Sequence, residues 1–366
     1  MCSYRGALYI CGTGEYNKLG LGDTKDREVP VPVEALADET ITHVSCGKYH
    51  TAALSEGGEV FAWGLESSGQ LGLGSKRTKA PTPQKLEALS GKGVSTLSCG
   101  LYHTLALTEQ GEVYSVGYGG SFLGGAGALG HGDRTQLETP RQLSVFGSTA
   151  PRAVSISAGG FHSIVQDEEG GVWSFGRGEW GRLGHSDSSD LLEPKLIDEC
   201  QHMGGVATAL AAEGHSACLS DEGKVFTWGR NEHFQLGYEV CGGGGRRAEA
   251  GGWAVGRGDG WLGGRAAVKL AIGEMGCVAL LEDETLWMWG MARYFAPTQL
   301  KMGATHLAIL TEDANLFTFG TGTPLCLPKK ERKSWELSHV PSLHLDERRV
   351  LQVACGSYST ALILEK

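Results

Sequence analysis

The chain has no CxxC pair, no zinc-ligand spacing among its ten cysteines and no apolar run long enough to span a bilayer. GxxxxGK[ST], HExxH and GxSxG are also absent, so the common phosphate-loop, zincin and nucleophile-elbow chemistries have no sequence basis. Clustered basic residues are scarce. With a net charge of -10 and a pI near 5.7, an electrostatic footprint on nucleic acid or an anionic membrane is not expected. The most basic run, "KKERK" at 329–333, reads as a solvated loop rather than a nuclear-import patch. The opening stretch "MCSYRGALYICGTG" lacks the h-region of a signal peptide and the Arg-rich pattern of a transit peptide, which predicts a cytoplasmic or nuclear protein. In a reducing compartment the cysteines are expected to be free, with Cys46, Cys99 and Cys355 buried in one recurring small-residue slot.

Proline is sparse at 11 residues, hydrophobic content is an ordinary 41% and glycine is abundant at 57, a balance that excludes collagen-like and disordered classes. A length of 366 residues alone would predict several domains, but internal repetition removes that expectation. "SCGKYHTAAL" at 45–54 precedes "EVFAWG", and "SCGLYHTLAL" precedes "EVYSVG" about fifty residues later. The clearest anchor is a short strand that ends in a bulky or apolar residue and a glycine, at Gly12, Gly64, Gly117, Gly176, Gly229, Gly290 and Gly320. These glycines are spaced by 52, 53, 59, 53, 61 and 30 residues, and the step from Gly320 through the end of the chain back to Gly12 is 58. A wrap-around step so close to the internal ones is what a ring predicts, with "VLQVACGSYSTALIL" and "GALYICG" sharing one unit.

Each unit reads as strands of four to seven residues separated by Gly-containing turns. Six residues separate the anchor glycine from Leu19, Leu71, Leu183 and Leu236, each followed by glycine, and eleven separate it from Leu129. Proline-marked segments such as "VPVPVEAL" and "APTPQKL" follow, as suits an outer strand. The predicted fold is all-β: a seven-bladed β-propeller of about fifty-residue repeats, a single domain over 1–366, closed between its N- and C-terminal strands. Trp63, Phe175, Trp228, Trp289 and Phe319 are expected between blades, and the glycines beside them in a positive-φ turn or a close backbone approach.

The phrases "VSCGKYHTAAL", "GEVFAWG" and "GQLGLG" together resemble the repeat of the regulator of chromosome condensation family, and the resemblance runs through nearly the whole chain. It implies a seven-bladed propeller closed between its termini. Two stretches depart from the pattern. Residues 237–264 are irregular and Gly-rich, with no recognisable fourth strand, and the Leu-Gly loop is missing after Gly290, so one or two degenerate blades are expected between 230 and 320.

No reaction chemistry emerges, and no enzyme activity, cofactor, metal or small-molecule substrate is expected. His50, His103, His162, His215 and His306 recur in one slot, spread blade by blade, and are expected to bond the backbone of neighbouring strands. "GAGALG" at 125–130 lacks the βαβ context of a dinucleotide site, and "RGD" at 257–259 reads as coincidence. Function is therefore expected on the loops between Cys-Gly and His-Thr, where a protein partner would bind. The candidate residues are Lys48, Tyr49, Leu101, Tyr102, Phe161, Glu213, Glu274 and Tyr358; other loops of the set carry Gly160, Met275, Ala304, Thr305 and Ser357. Four aromatics at one repeat position would share one side of the ring, as binding hot spots or as lids on the blade ends.

The resemblance implies an alternative, guanine-nucleotide exchange on a small GTPase, which needs acidic and histidine groups in these loops and a protruding wedge. Only Glu213 and Glu274 supply acid, and the expansion "GYGGSFLGGAGAL" is too glycine-rich for a rigid wedge. A third member activity, ultraviolet-B sensing, depends on tryptophan in the same slot; none is present there, so it is rejected.

Overall fold

The computed structural model describes residues 6–74, 78–120, 128–147, 149–237, 253–256, 265–290, 299–303, 306–311, 314–331, 338–345 and 348–365. Most of the Gly-rich stretch 237–264, the expansion at 121–127, the RGD triplet, part of KKERK and the pair 304–305 lie outside these residues.

The described chain is an array of antiparallel up-and-down sheets. Ile41–Cys46, His50–Ser55, Val60–Leu65 and Lys79–Lys85 pair in sequence order, and four-stranded sheets of the same plan recur from Val94, Ala153, Val206 and Gln299. Alternating apolar residues make the first strand of a unit half-buried, whereas the second strand, such as His50–Ser55, is buried along its whole length. Proline-bearing strands, Arg27–Pro32, Lys79–Lys85, Leu137–Gln142 and Leu191–Leu196, are the outermost of their sheets, where a missing N–H costs nothing.

The two ends of the chain share a sheet. Gly6–Gly12 runs antiparallel to Ser359–Glu365 in unbroken register from Gly6 opposite Glu365 to Gly12 opposite Ser359, with Val350–Cys355 and Arg27–Pro32 outside them. Hydrophobic side chains fill the spaces between successive sheets. Leu105, Leu107 and Phe146 meet Ile156, Val165 and Phe175; Ile164, Val172 and Ile197 meet Ala209, Cys218 and Trp228. Leu8, Ile10 and Ile363 of the shared sheet pack in one cluster with Val44, Ala53 and Trp63. Each sheet thus needs neighbours on both faces, and burying a bulky anchor such as Trp63 contributes roughly 1.5–3 kcal/mol.

The anchor glycines meet both expectations. Gly64 has φ +112, and a Cβ there would sit 2.5 Å from the Tyr49 carbonyl oxygen, so only glycine fits. One expectation is corrected: Trp253–Gly256, inside the Gly-rich stretch, is a strand that pairs with Val225–Gly229 and supplies the fourth member of that sheet. It lacks the proline of Arg27–Pro32, Lys79–Lys85, Leu137–Gln142 and Leu191–Leu196, which hid it. The next sheet, Ala267–Ile272, Gly276–Leu281 and Leu286–Gly290, has three strands among the described residues.

Candidate functional site

The loops between the first and second strands of all the sheets converge. Together they line one cavity of about 140 Å³, walled by the backbones of Gly47, Gly100, Gly159, Gly273, Gly303 and Gly356. Successive loops touch through these residues: a Cβ on Gly100 would lie 2.3 Å from the Gly159 carbonyl oxygen, one on Gly303 2.3 Å from that of Gly356, and one on Gly356 2.5 Å from that of Gly47.

Beneath the loops the recurring histidines form a relay different from the one expected. They meet side chains of the next repeat, not its backbone. His50 Nε2 lies 2.8 Å from Thr104 Oγ1, His103 Nε2 3.0 Å from Ser163 Oγ, His162 Nε2 2.8 Å from Ser216 Oγ and His306 Nε2 2.9 Å from Thr360 Oγ1; His215 Nε2 takes Cys277 Sγ at 3.3 Å. Thr104, Ser163 and Ser216 donate onward to the Gln70, Ala128 and Arg182 carbonyls of the preceding Leu-Gly loops, and Thr360 donates to the Pro324 carbonyl. The hydroxyl must therefore accept from Nε2–H, which leaves Nδ1 bare, and Nδ1 of His50, His162, His215 and His306 is buried without a partner. Burial holds all five imidazoles neutral: His50, His215 and His306 are pushed down to about 3, His103 to about 4, and His162 well below its usual range.

Above this relay stand the candidate loop residues. Tyr49 and Tyr102 stack at 5.1 Å between ring centroids, Tyr102 and Phe161 lie 6.1 Å apart, and Tyr16 meets Tyr49 edge-on at 5.2 Å. These rings form a continuous arc across successive repeats, and all are at least partly exposed. Burial, with help from Tyr49, pushes the Tyr102 phenol up to about 12. Leu101, by contrast, is buried in the cavity wall. Tyr358 lies apart from this arc, beneath the Lys18 ammonium at 5.4 Å. Glu213 and Glu274 come from consecutive loops and meet at the cavity, where Lys48 Nζ lies 3.8 Å from Glu213 Oε2. Burial and the adjoining Glu213 carboxyl push Glu274 up to about 7.

Further residues of this face come from the Leu-Gly loops, whose side chains were not among the candidates. Tyr16 and Trp180 occupy one repeat position and Lys18 and Arg182 another. The Arg182 and Arg230 guanidiniums lie over the Trp180 ring at 4.6 and 4.8 Å from its centroid, and Phe234 is 54% exposed. Aligning the loop columns would have found the aromatic and basic pairs. No cluster of three or more His, Cys, Asp or Glu side chains among the described residues is placed to hold a metal ion, and no described helix is long and apolar enough to cross a membrane. The eight described cysteines are free thiols, and seven of them are buried.

Residues 1–295 match the family described as RCC1-like domain. The human E3 ubiquitin-protein ligase HERC2 is 29% identical over 380 residues, covering 97% of this chain and 8% of the ligase. The Arabidopsis thaliana ultraviolet-B receptor UVR8 is 33% identical over 231 residues, covering 63% of this chain and 50% of the receptor. The chain therefore spans half or less of these relatives. Among solved structures, Prp20p of Saccharomyces cerevisiae superposes with a TM-score of 0.83 at 21% identity, over 99% of this chain and 92% of that one.

Proposed function

Because the chain belongs to the RCC1-like domain family, we propose that it closes into a seven-bladed β-propeller over residues 1–366 and acts by binding another protein, with no reaction of its own. The aromatic arc Tyr16, Tyr49, Tyr102 and Phe161 carries this reading: partly exposed rings on successive loops at one end of the sheets have the composition of an interface hot spot. Lys48, Glu213 and Glu274 are its polar neighbours at the cavity, Leu101 lies in the cavity wall, and Tyr358 stands apart beneath Lys18. The continuous pairing of Gly6–Gly12 with Ser359–Glu365, together with the contact of Gly356 on Gly47, supports the closed ring. The net charge of -10 favours a protein partner over nucleic acid or an anionic membrane surface.

The test compares proteins captured by the chain with those captured by the double variant Tyr102→Ala and Phe161→Ala, alongside thermal melting of each. Loss of specific capture at an unchanged melting temperature supports the reading. Unchanged capture, or capture lost only with the fold, assigns the rings to packing.

A second reading, nucleotide exchange on a small GTPase, is favoured by the meeting of Glu213 and Glu274, the two acids that such an activity would draw on. Prp20p, which shares the fold, is described with its binding to Gsp1p and histones. GDP release from a panel of small GTPases, with and without the chain, decides it: acceleration that Glu213→Gln and Glu274→Gln abolish establishes exchange, and unaltered release removes it.

A further inference from the structure

Lys18 and Arg182 hold the same repeat position, one residue before Leu19 and Leu183, and both side chains are almost wholly buried, at 2% and 1% exposure. Their backbone carbonyls do the same work, each accepting from a tryptophan indole and a hydroxyl of the next repeat: Trp63 and Thr51 for Lys18, Trp228 and Ser216 for Arg182. Their charged ends differ. Arg182 donates to the carbonyls of Glu179 and Glu213 and lies 3.6 Å from the Glu179 carboxylate. The equivalent positions around Lys18 are Glu15 and, in place of Glu213, Lys48.

The Lys18 ammonium makes no hydrogen bond or ion pair among the described residues, and it lies 5.4 Å from the centroid of the Tyr358 ring. The Glu15 and Asp26 carboxylates act on it from a distance without reaching it, and Lys48 opposes its charge. The side chain is buried along its length, so an ammonium without a protein acceptor is poorly served by solvent and an added carboxylate would supply what it lacks. Burial accordingly pushes the amine down to about 8. Lys48, its Nζ 5.8 Å from the Tyr49 ring centroid, puts a second cation beside the site, and the Tyr16 and Tyr49 rings stand next to it at the end of the aromatic arc.

We infer that Lys18, with Lys48 beside it and Tyr358 beneath it, is a receptor for one carboxylate, and that the occupant is an aspartate or glutamate side chain of the protein partner whose apolar neighbours rest on the Tyr16–Tyr49 arc. This rests on the interaction reading above and specifies it. The carbonyl and carboxylate acceptors that meet the Arg182 guanidinium have no counterpart at the Lys18 ammonium, and charge complementarity selects an anion. The adjoining rings select a peptide segment that carries that anion beside an apolar residue, since an isolated small anion would leave them uncovered.

The test is panning of a random-peptide phage library on the full chain, followed by affinity measurement of an enriched peptide. An acidic residue at a fixed place beside an apolar one is expected. Replacing that acid by its amide should weaken binding at least about tenfold, as should Lys18→Met, which keeps the aliphatic stem; in the Lys18→Met chain the amide peptide should bind no worse than the acid. A second readout needs no variant: the bound peptide should shield Lys18 from acetylation by acetic anhydride, read by mass spectrometry. An enriched consensus without acid, full affinity for Lys18→Met, or undiminished acetylation of Lys18 overturns the inference. An acid-free consensus whose binding still depends on Tyr102 leaves the interaction reading standing, whereas panning that enriches no peptide removes both.

Discussion

His50 Nε2 meets Thr104 Oγ1 at 2.8 Å across 54 positions of the chain, and the same threonine hydroxyl donates to the Gln70 carbonyl at 2.8 Å. One buried hydroxyl therefore ties a strand of one repeat to a strand and a loop of its neighbour. Thr104→Val keeps the shape and removes the hydroxyl, leaving the His50 N–H and the Gln70 carbonyl unsatisfied. A loss of about 2–4 kcal/mol is expected from two such groups, measured by denaturant unfolding. Thr104→Ser should recover most of it, because serine fills this slot at Ser163 and Ser216.

The histidines also set a pH response. Each is neutral when folded and protonates near 6.5 when unfolded, so the unfolded chain binds more protons below that value. Their stabilisation is complete above pH 6.5 and is lost as pH falls toward the folded values of about 3 to 4. Glu66 and Glu274, both pushed up to about 7 chiefly by burial, act in the opposite direction between their unfolded values and pH 7. Five groups outweigh two, and a net loss of about 3–4 kcal/mol per pH unit is expected near pH 5.5. Urea midpoints at pH 7.5, 6.5 and 5.5 check this; a flat profile would refute the buried neutral relay. His103→Gln should make the profile shallower by one proton's worth.

Much of this fold is legible in the sequence because a ring of like units writes its geometry as spacing. The anchors at Gly64 and Gly176, the prolines of the outer strands and the Cys-Gly to His-Thr loops all fall where their repeat position predicts. The outer strand Trp253–Gly256 was hidden because its pairing rests on backbone hydrogen bonds, which carry no residue signature. The histidine relay was misread for a related reason. A histidine shows its repeat slot, but its partner lies 54 to 62 residues away, in a column of Thr, Ser and Cys that looks like ordinary strand filler. Lys18 was missed because a lone lysine in a loop reads as solvated, and only packing reveals that it is buried.

Trp228 combines two roles that a single substitution separates. Its indole N–H donates to the Arg182 carbonyl at 2.9 Å, while its ring packs with Ile164, Ile197 and Cys218. Trp228→Phe keeps part of the packing, removes the donor and leaves a cavity, so a loss of about 2–3 kcal/mol is expected. Phenylalanine at the equivalent Phe175 is accommodated where Gly130 stands close against its ring. If Trp228→Phe melts with the parent chain, the indole hydrogen bond contributes nothing to the joint between these repeats.

The contact between successive loops yields the sharpest contrast among the glycines. Gly58 has φ +78 with nothing near its Cβ position, so Gly58→Ala pays only backbone strain, about 1 kcal/mol. At Gly303 the obstacle is steric: a methyl group would lie 2.3 Å from the Gly356 carbonyl oxygen and 2.5 Å from His306 Cε1. Neither can yield alone, because His306 is held by Thr360 and Gly356 rests against Gly47 in turn. Gly303→Ala must push one sheet away from the next, and a loss of about 3 kcal/mol is expected. Because the displaced sheet is the one in which both chain ends pair, the variant should also speed amide exchange in Gly6–Gly12 and Ser359–Glu365, far from the mutation in sequence. Equal losses for the two alanine variants, with exchange in the terminal strands unaltered, would show that the loops only lie near one another and do not hold the sheets together.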